Sequence, residues 1–229
     1  MFLLNRVRKF LGGLGQSRSM MKLVLICGPW GSGTTAVAGM IEKLGARGFG
    51  PYYHTGDAQT PNSFELIAFK ETISRLASDR TVSLIPATQK TQMTELRRLH
   101  RRIERQELRP NDPQGSSPIF LKDPISALLI PQICDVFDTK LIYVVRPLED
   151  IERTRIRRGW PARFGGEGAK IIYRAMNDFE RTASRPIHTL QYAGLLSDPA
   201  KYAQELANFS GLEPTPAQFK LAIDFVRSK

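Results

Sequence analysis

Short apolar stretches alternate with longer amphipathic stretches along most of the chain. The short stretches have the pattern of strands, and the one at 140–146 is apolar on both sides, as burial on both faces of a sheet requires. We predict strands at 22–27, 119–123, 140–146 and 187–192. Between them apolar residues recur every three or four positions, which predicts helices. We expect these at 34–48, 63–78, 94–109, 125–138, 147–159 and 169–184, with two more near 198–210 and 215–227.

This alternation predicts an α/β fold of three layers, α/β/α, with a central, mainly parallel sheet like that of P-loop nucleotide kinases. Within it, Ser63 is a candidate helix cap, and Pro131 should kink the helix at 125–138. The Pro- and Gly-containing segment 110–118 is interpreted as an insertion loop, because strands of the same kind continue after it. Residues 21–229 are therefore expected to form a single domain.

The first 20 residues have a different pattern, with apolar side chains on one helical face and basic residues interleaved. One interpretation is a leader in which residues 1–19 make weak contact with an anionic membrane surface. The alternative is a disordered leader, or a true start at Met20 or Met21, because the segment is short and contains two adjacent glycines.

Composition narrows the range of partners and compartments. Lys and Arg number 33 against 22 Asp and Glu, so the formal net charge is +11. This surplus favours an anionic partner. Cys27 and Cys134 both lie in apolar stretches, which favours buried free thiols and a reducing compartment such as the cytoplasm. The two cysteines do not have the spacing of a metal-binding motif, and we do not expect a metal site.

The segment GPWGSGTT at 28–35 lies between a predicted strand and a predicted helix. Glycines allow successive amides to point at an anion, and the helix start adds its positive end. The loop lacks the lysine of the usual phosphate-binding motif, because Thr34 takes its place. We therefore predict a phosphate site that relies on backbone and hydroxyl groups. Its members are Gly28, Gly31, Ser32, Gly33, Thr34 and Thr35.

Two other predicted strands end in charged residues. Arg146 ends the strand at 140–146, and Thr154 follows eight residues later in the next helix. Lys122 and Asp123 end the strand at 119–123. Because parallel strands place their carboxyl ends at one edge of the sheet, these residues should line the same crevice as the loop. Arg146 and Thr154 are expected to hold a second phosphate.

Taken together, these segments resemble the sulfotransferase family, in particular its bacterial members. Family loops commonly end S-G-T-[TS], and here GSGTT matches; the phosphate arginine with a serine eight residues later corresponds to Arg146 and Thr154. The KDP at 122–124 and the YAGLLSDP at 192–199 also match family segments, although Ala193 replaces an acidic residue. The resemblance covers about 22–215. It implies transfer of a sulfuryl group from 3′-phosphoadenosine 5′-phosphosulfate (PAPS) to a hydroxyl or amine of a small molecule, glycan or lipid.

One departure from the family concerns catalysis. Family loops usually carry a Lys or Arg directly before S-G-T, where this chain has Gly31. Sulfuryl transfer needs positive charge near the leaving phosphate and a base for the acceptor's proton. Lys122 is the preferred substitute for the missing cation, with Arg157 and Arg158 as alternatives. Glu65 and His54 are the candidate bases.

Two other functions stay open from the sequence. A nucleotide-kinase-like phosphotransferase has the same fold class, and the basic segment 153–163 could serve as its lid. A non-catalytic nucleotide- or nucleic-acid-binding module could use the charged helix at 94–109. Nucleic acid is disfavoured, because no aromatic residues are interleaved with this basic run.

Overall fold

The computed structural model describes residues 21–48, 50–55, 60–107 and 117–227. The predictions for the leader and for most of the 110–118 loop lie outside these residues. Strands β1 to β8 span Lys22–Cys27, Tyr52–His54, Asn62–Leu66, Ala77–Ser78, Ser83–Leu84, Ile119–Lys122, Asp138–Val145 and Ile187–Gln191. Helices α1 to α9 span Thr34–Lys43, Ile67–Ser74, Gln89–Glu107, Ile130–Cys134, Leu148–Arg157, Gly166–Thr182, Tyr192–Ser197, Pro199–Ser210 and Pro216–Arg227.

The central sheet is parallel and has the order β6-β1-β7-β8. Strand β1 lies in the middle, with Leu23 opposite Ile119 of β6 on one side and Thr139 of β7 on the other. All four predicted strands are present, and the expected α/β/α fold is confirmed. Because the order places β6 and β7 on opposite sides of β1, the crevice at the carboxyl edge opens around the end of β1.

Each face of the sheet carries its own apolar core. Leu23 and Leu25 point to the face covered by α2, α3, α4 and α6. Val24 and Ile26 point to the other face, which α1, α8 and α9 cover. This alternation explains why β1 is apolar at every position after Lys22, since both faces are buried. Cys27 and Cys134 are buried free thiols, as predicted.

The segment after the 49–63 loop differs from the prediction. Asn62–Leu66 is strand β3, paired antiparallel with Tyr52–His54, and the helix begins only at Ile67. The prediction of Ser63 as a helix cap is therefore wrong. Its hydroxyl donates to the Tyr53 carbonyl across the hairpin at 2.6 Å. Cross-strand pairing satisfies this backbone, and the helical periodicity of 63–78 did not distinguish the strand from the helix that follows.

The predicted helix at 125–138 is divided in two. A 3₁₀ helix spans Pro124–Leu129, and α4 follows at Ile130–Cys134. Pro131 lies in the first turn of α4, where a backbone N–H would make no hydrogen bond within the helix. The proline therefore begins a helix and does not kink one.

None of the helices in the described residues has both the length and the apolar character needed to span a membrane.

Candidate functional site

Three strand ends meet at the carboxyl edge of the sheet. The loop 28–33 leaves β1, Lys122 ends β6, and Arg146 follows β7. Since β1 pairs in parallel with both neighbours, the sheet brings together residues that are more than a hundred positions apart. The predicted crevice thus contains the three segments that carry the sequence motifs.

The loop after β1 leaves several amides available to a ligand. Gly31 and Gly33 have φ angles of 75° and 102°, in the left-handed region that glycine favours. Within the described ranges, the amides of Gly33, Thr34 and Thr35 donate to no protein acceptor. They lie at the start of the ten-residue helix α1. Free amides at a helix start form a binding site for an anion.

Ser32 and Gly28 lie beneath this loop. The Ser32 amide donates to the Pro29 carbonyl at 3.1 Å, and its hydroxyl is buried without a hydrogen-bond partner in the described chain. A Cβ at Gly28 would lie 2.7 Å from both that hydroxyl oxygen and the Val144 carbonyl. Gly28 therefore allows the loop to pack closely against β7, while the free amides come from Gly33 to Thr35.

Arg146 connects the loop with the helix that follows β7. Its Nη1 donates to the Gly31 carbonyl at 2.9 Å and to the Thr154 hydroxyl at 3.2 Å. The guanidinium also lies 5.1 Å from the centre of the Tyr192 ring, in a cation–π contact. The Tyr173 hydroxyl accepts from the Arg146 amide and donates to its carbonyl, both at 2.9 Å. Thus both the backbone and the side chain of Arg146 are held beside the loop.

Lys122 lies in a buried charge cluster at the other side of the loop. Its Nζ donates to Glu65 Oε1 at 2.9 Å, to the Ser63 carbonyl at 3.0 Å and to Thr35 Oγ1 at 3.2 Å. The second oxygen of Glu65 accepts from Lys70 at 2.8 Å. Lys70 also lies 3.4 Å from Asp123 Oδ2. The charge cluster of Glu65, Lys70, Lys122 and Asp123 contains two cations and two carboxylates, so its formal charge is zero.

Burial and charge act against each other within this cluster. Burial raises the pKa of Glu65, but Lys122 and Lys70 outweigh it and hold the pKa below its usual range. Burial opposes the charged form of Lys70, yet Asp123 and Glu65 raise its pKa further above the usual value. Burial dominates at Asp123, raising its pKa to about 6 although Lys70 lowers it. The cluster therefore keeps Glu65 ionised at neutral pH, as a general base must be.

The other sequence candidates lie apart from this cluster. His54 is exposed on β2, with Nδ1 3.3 Å from the Pro61 carbonyl. Arg158 donates to the Thr60 hydroxyl at 3.0 Å and stacks on the Trp160 ring. Of the two candidate bases, the structure thus brings Glu65 and not His54 into contact with Lys122.

Sequence reasoning missed Lys70, Tyr173 and Tyr192. With 63–78 interpreted as one helix, Glu65 and Lys70 would be five residues apart on different helical faces. The structure changes from strand to helix at Ile67 instead, and the Lys70 ammonium contacts both Glu65 and Asp123. Tyr173 and Tyr192 reach Arg146 from α6 and α7. Tyr192 begins the family-like segment at 192–199, but that match did not indicate a contact with Arg146.

Several solved structures share this architecture. The sulfotransferase STF1 from Mycobacterium tuberculosis H37Rv aligns with a TM-score of 0.61 and 13% identity over 96% of this chain and 74% of its own. The fold is that of sulfotransferases. The sulfotransferase domain of the Synechococcus PCC 7002 olefin synthase aligns at 0.53 and 16% identity, covering 89% and 78%. STF9 from Mycobacterium avium aligns at 0.52 and 12% identity, covering 97% and 72%. No family model and no curated protein sequence matches the chain.

Proposed function

We propose that this protein is a sulfotransferase that moves a sulfuryl group from PAPS to a hydroxyl or amine of a small molecule, glycan or lipid. The observation that carries the proposal is that Arg146 and Lys122 lie on opposite sides of the glycine loop, at the carboxyl edge of the sheet. A lysine-free phosphate loop lies between Arg146 on one side and Lys122 on the other, and both side chains donate to residues of the loop segment. The sulfotransferase fold supports the same function.

The residues at the crevice fit the two ends of the donor. The free amides of Gly33, Thr34 and Thr35 suit the 5′-phosphosulfate, because a helix start stabilises negative charge. Arg146 and Thr154 suit the 3′-phosphate. Their side chains lie 3.2 Å apart, and Arg146 can offer further guanidinium N–H groups to an anion. The Thr154 hydroxyl donates to the Asp150 carbonyl at 2.9 Å, so it would turn from that carbonyl to donate to the phosphate.

Lys122 and Glu65 supply the chemistry that the loop lacks. PAPS, when bound, provides a sulfuryl group whose departure leaves negative charge on the 5′-phosphate. Lys122 is directed at this part of the crevice through its contact with Thr35, so it can stabilise that charge in place of a loop cation. Glu65 is ionised and adjacent to Lys122, so it can accept the proton of the acceptor's hydroxyl or amine.

The compartment that we propose is the cytoplasm. Cys27 and Cys134 are both free thiols, and a reducing compartment keeps thiols in this state.

Calorimetric titration with adenosine 3′,5′-bisphosphate, AMP, ADP and ATP tests the proposal without knowledge of the acceptor. We expect the bisphosphate to bind most tightly, because only it has the 3′-phosphate that Arg146 and Thr154 would hold. Preference for ATP with Mg²⁺ would replace the proposal with a kinase-like phosphotransferase. Tight bisphosphate binding without turnover on any acceptor would indicate a nucleotide-binding module.

A further inference from the structure

The ammonium group of Lys122 has no N–H left for a ligand in this structure. An ammonium has three N–H donors. Here they are directed at three acceptors, the Thr35 hydroxyl, the Ser63 carbonyl and Glu65 Oε1, all within 3.2 Å. A contact between Lys122 and the donor must therefore weaken or replace one of these bonds. If Lys122 is drawn toward the donor, Glu65 loses part of the positive charge that keeps it ionised.

A second lysine holds the other oxygen of Glu65. Lys70 binds Oε2 while Lys122 binds Oε1, so the two cations do not compete for one atom. Lys70 also pairs with Asp123, so its ammonium lies between Glu65 in β3 and Asp123 at the end of β6. Its ammonium also lies 4.9 Å from the Tyr53 ring centre. None of these Lys70 contacts involves the phosphate loop.

We propose that Lys70 is a positioning residue that keeps Glu65 ionised and oriented while Lys122 is engaged with the donor. This inference rests on the proposed function, in which Lys122 serves the donor and Glu65 the acceptor. The two lysines then have different roles: Lys122 stabilises charge on the leaving phosphate, and Lys70 keeps the Glu65 carboxylate ionised.

The charges around Glu65 explain why a second cation is needed. Glu65 is only 6% exposed, and burial disfavours its charged form. The charged groups that face it are Lys122 and Asp123 from the end of β6 and Lys70 from α2. Of these, Asp123 repels a carboxylate. Without Lys70, a carboxylate whose other cation had turned to the donor would be buried beside a second carboxylate, and it would take up a proton.

The test follows the protonation of Glu65 by NMR of its carboxyl carbon, assigned by the loss of its signal in Glu65→Gln. Titrations are run with and without adenosine 3′,5′-bisphosphate in wild type, Lys70→Met and the rescue variant Lys70→Arg. With the bisphosphate bound, we expect Glu65 to titrate about 1–3 pH units higher in Lys70→Met than in wild type, the range that one neighbouring opposite charge produces. Lys70→Arg should restore most of the wild-type behaviour.

Two further variants keep the result interpretable. Arg75→Met removes a cation at the end of the same helix, where Arg75 pairs with Glu95, and should leave the Glu65 titration unchanged. If Lys70→Met alone does not fold, Lys70→Met/Asp123→Asn removes one charge of each sign, and the amide oxygen can still accept from the Ile125 amide. In this double variant, bisphosphate binding should raise the pH at which Glu65 titrates. In wild type, it should raise that pH much less.

The outcomes separate this inference from the proposed function. If wild type binds the bisphosphate but Glu65 titrates alike in the wild-type and Lys70→Met complexes, the role of Lys70 is overturned and the proposed function stands. The same holds if the double variant responds to the bisphosphate as wild type does. If wild type does not bind the bisphosphate, the proposed function fails and this inference fails with it.

Discussion

Gly33→Ala tests whether the loop geometry is required for donor binding. The φ angle of Gly33 is 102°, and an alanine in the left-handed region costs about 1–2 kcal/mol. A Cβ there would also lie 2.1 Å from the Tyr192 ring, far inside contact distance. Moving that ring adds an overpacking cost of about 1–3 kcal/mol. The total loss of stability should therefore be about 2–5 kcal/mol.

Binding should weaken as well, because Tyr192 stacks on Arg146. A displaced ring would shift the guanidinium away from the position in which we propose that it holds the 3′-phosphate. Loss of one hydrogen bond to a charged group costs about 1.5–3 kcal/mol, which corresponds to about ten- to a hundredfold in affinity. Calorimetry with adenosine 3′,5′-bisphosphate measures this loss, and urea denaturation measures the stability.

Gly45→Ala is the matched control. Gly45 has a φ of 104°, almost the same as Gly33, but its nearest neighbour is the Gln218 side-chain amide at 3.4 Å. It should lose only the backbone term of about 1–2 kcal/mol and bind the bisphosphate normally. Equal bisphosphate affinity in Gly33→Ala and Gly45→Ala, with both folded, would refute the reasoning that the Gly33–Tyr192 contact shapes the donor site.

Three other changes probe the remaining parts of the site. Arg146→Ala should weaken adenosine 3′,5′-bisphosphate by about ten- to a hundredfold and AMP much less; equal losses for both would remove Arg146 from 3′-phosphate recognition. Lys122→Ala should lower kcat by about 10²–10³ and donor affinity much less, and a normal kcat on an identified acceptor would contradict its role. Asp123→Asn should flatten the dependence of stability on pH. The pKa of Asp123 is raised from 3.8 to about 6 in the fold, so protonation of Asp123 stabilises the folded state. This stabilisation is complete below pH 3.8 and is lost as the pH rises through about 6. Urea denaturation of wild type and variant across this interval measures the effect, and identical pH profiles would contradict it.

The sequence by itself determined the order of elements and the parts of the site that lie directly at strand ends. Burial on both faces forces a parallel strand to be apolar along its length, so β1 and β7 were visible as patterns. The glycine loop and Arg146 each follow such a strand and Lys122 ends another, and parallel pairing is enough to bring them to one edge. These inferences need only local periodicity and the geometry of parallel sheets.

Only the tertiary structure decided which side chains meet within the crevice. Glu65 was expected in a first helical turn, but pairing with Tyr52–His54 makes its segment a strand and turns it toward Lys122. Lys70, Tyr173 and Tyr192 reach the site from three different helices. Their contacts depend on how helices pack on the sheet, and that packing is set by side chains distant in sequence. A local pattern carries no information about such distant contacts, so the charge cluster and the support of Arg146 could be found only in the folded chain.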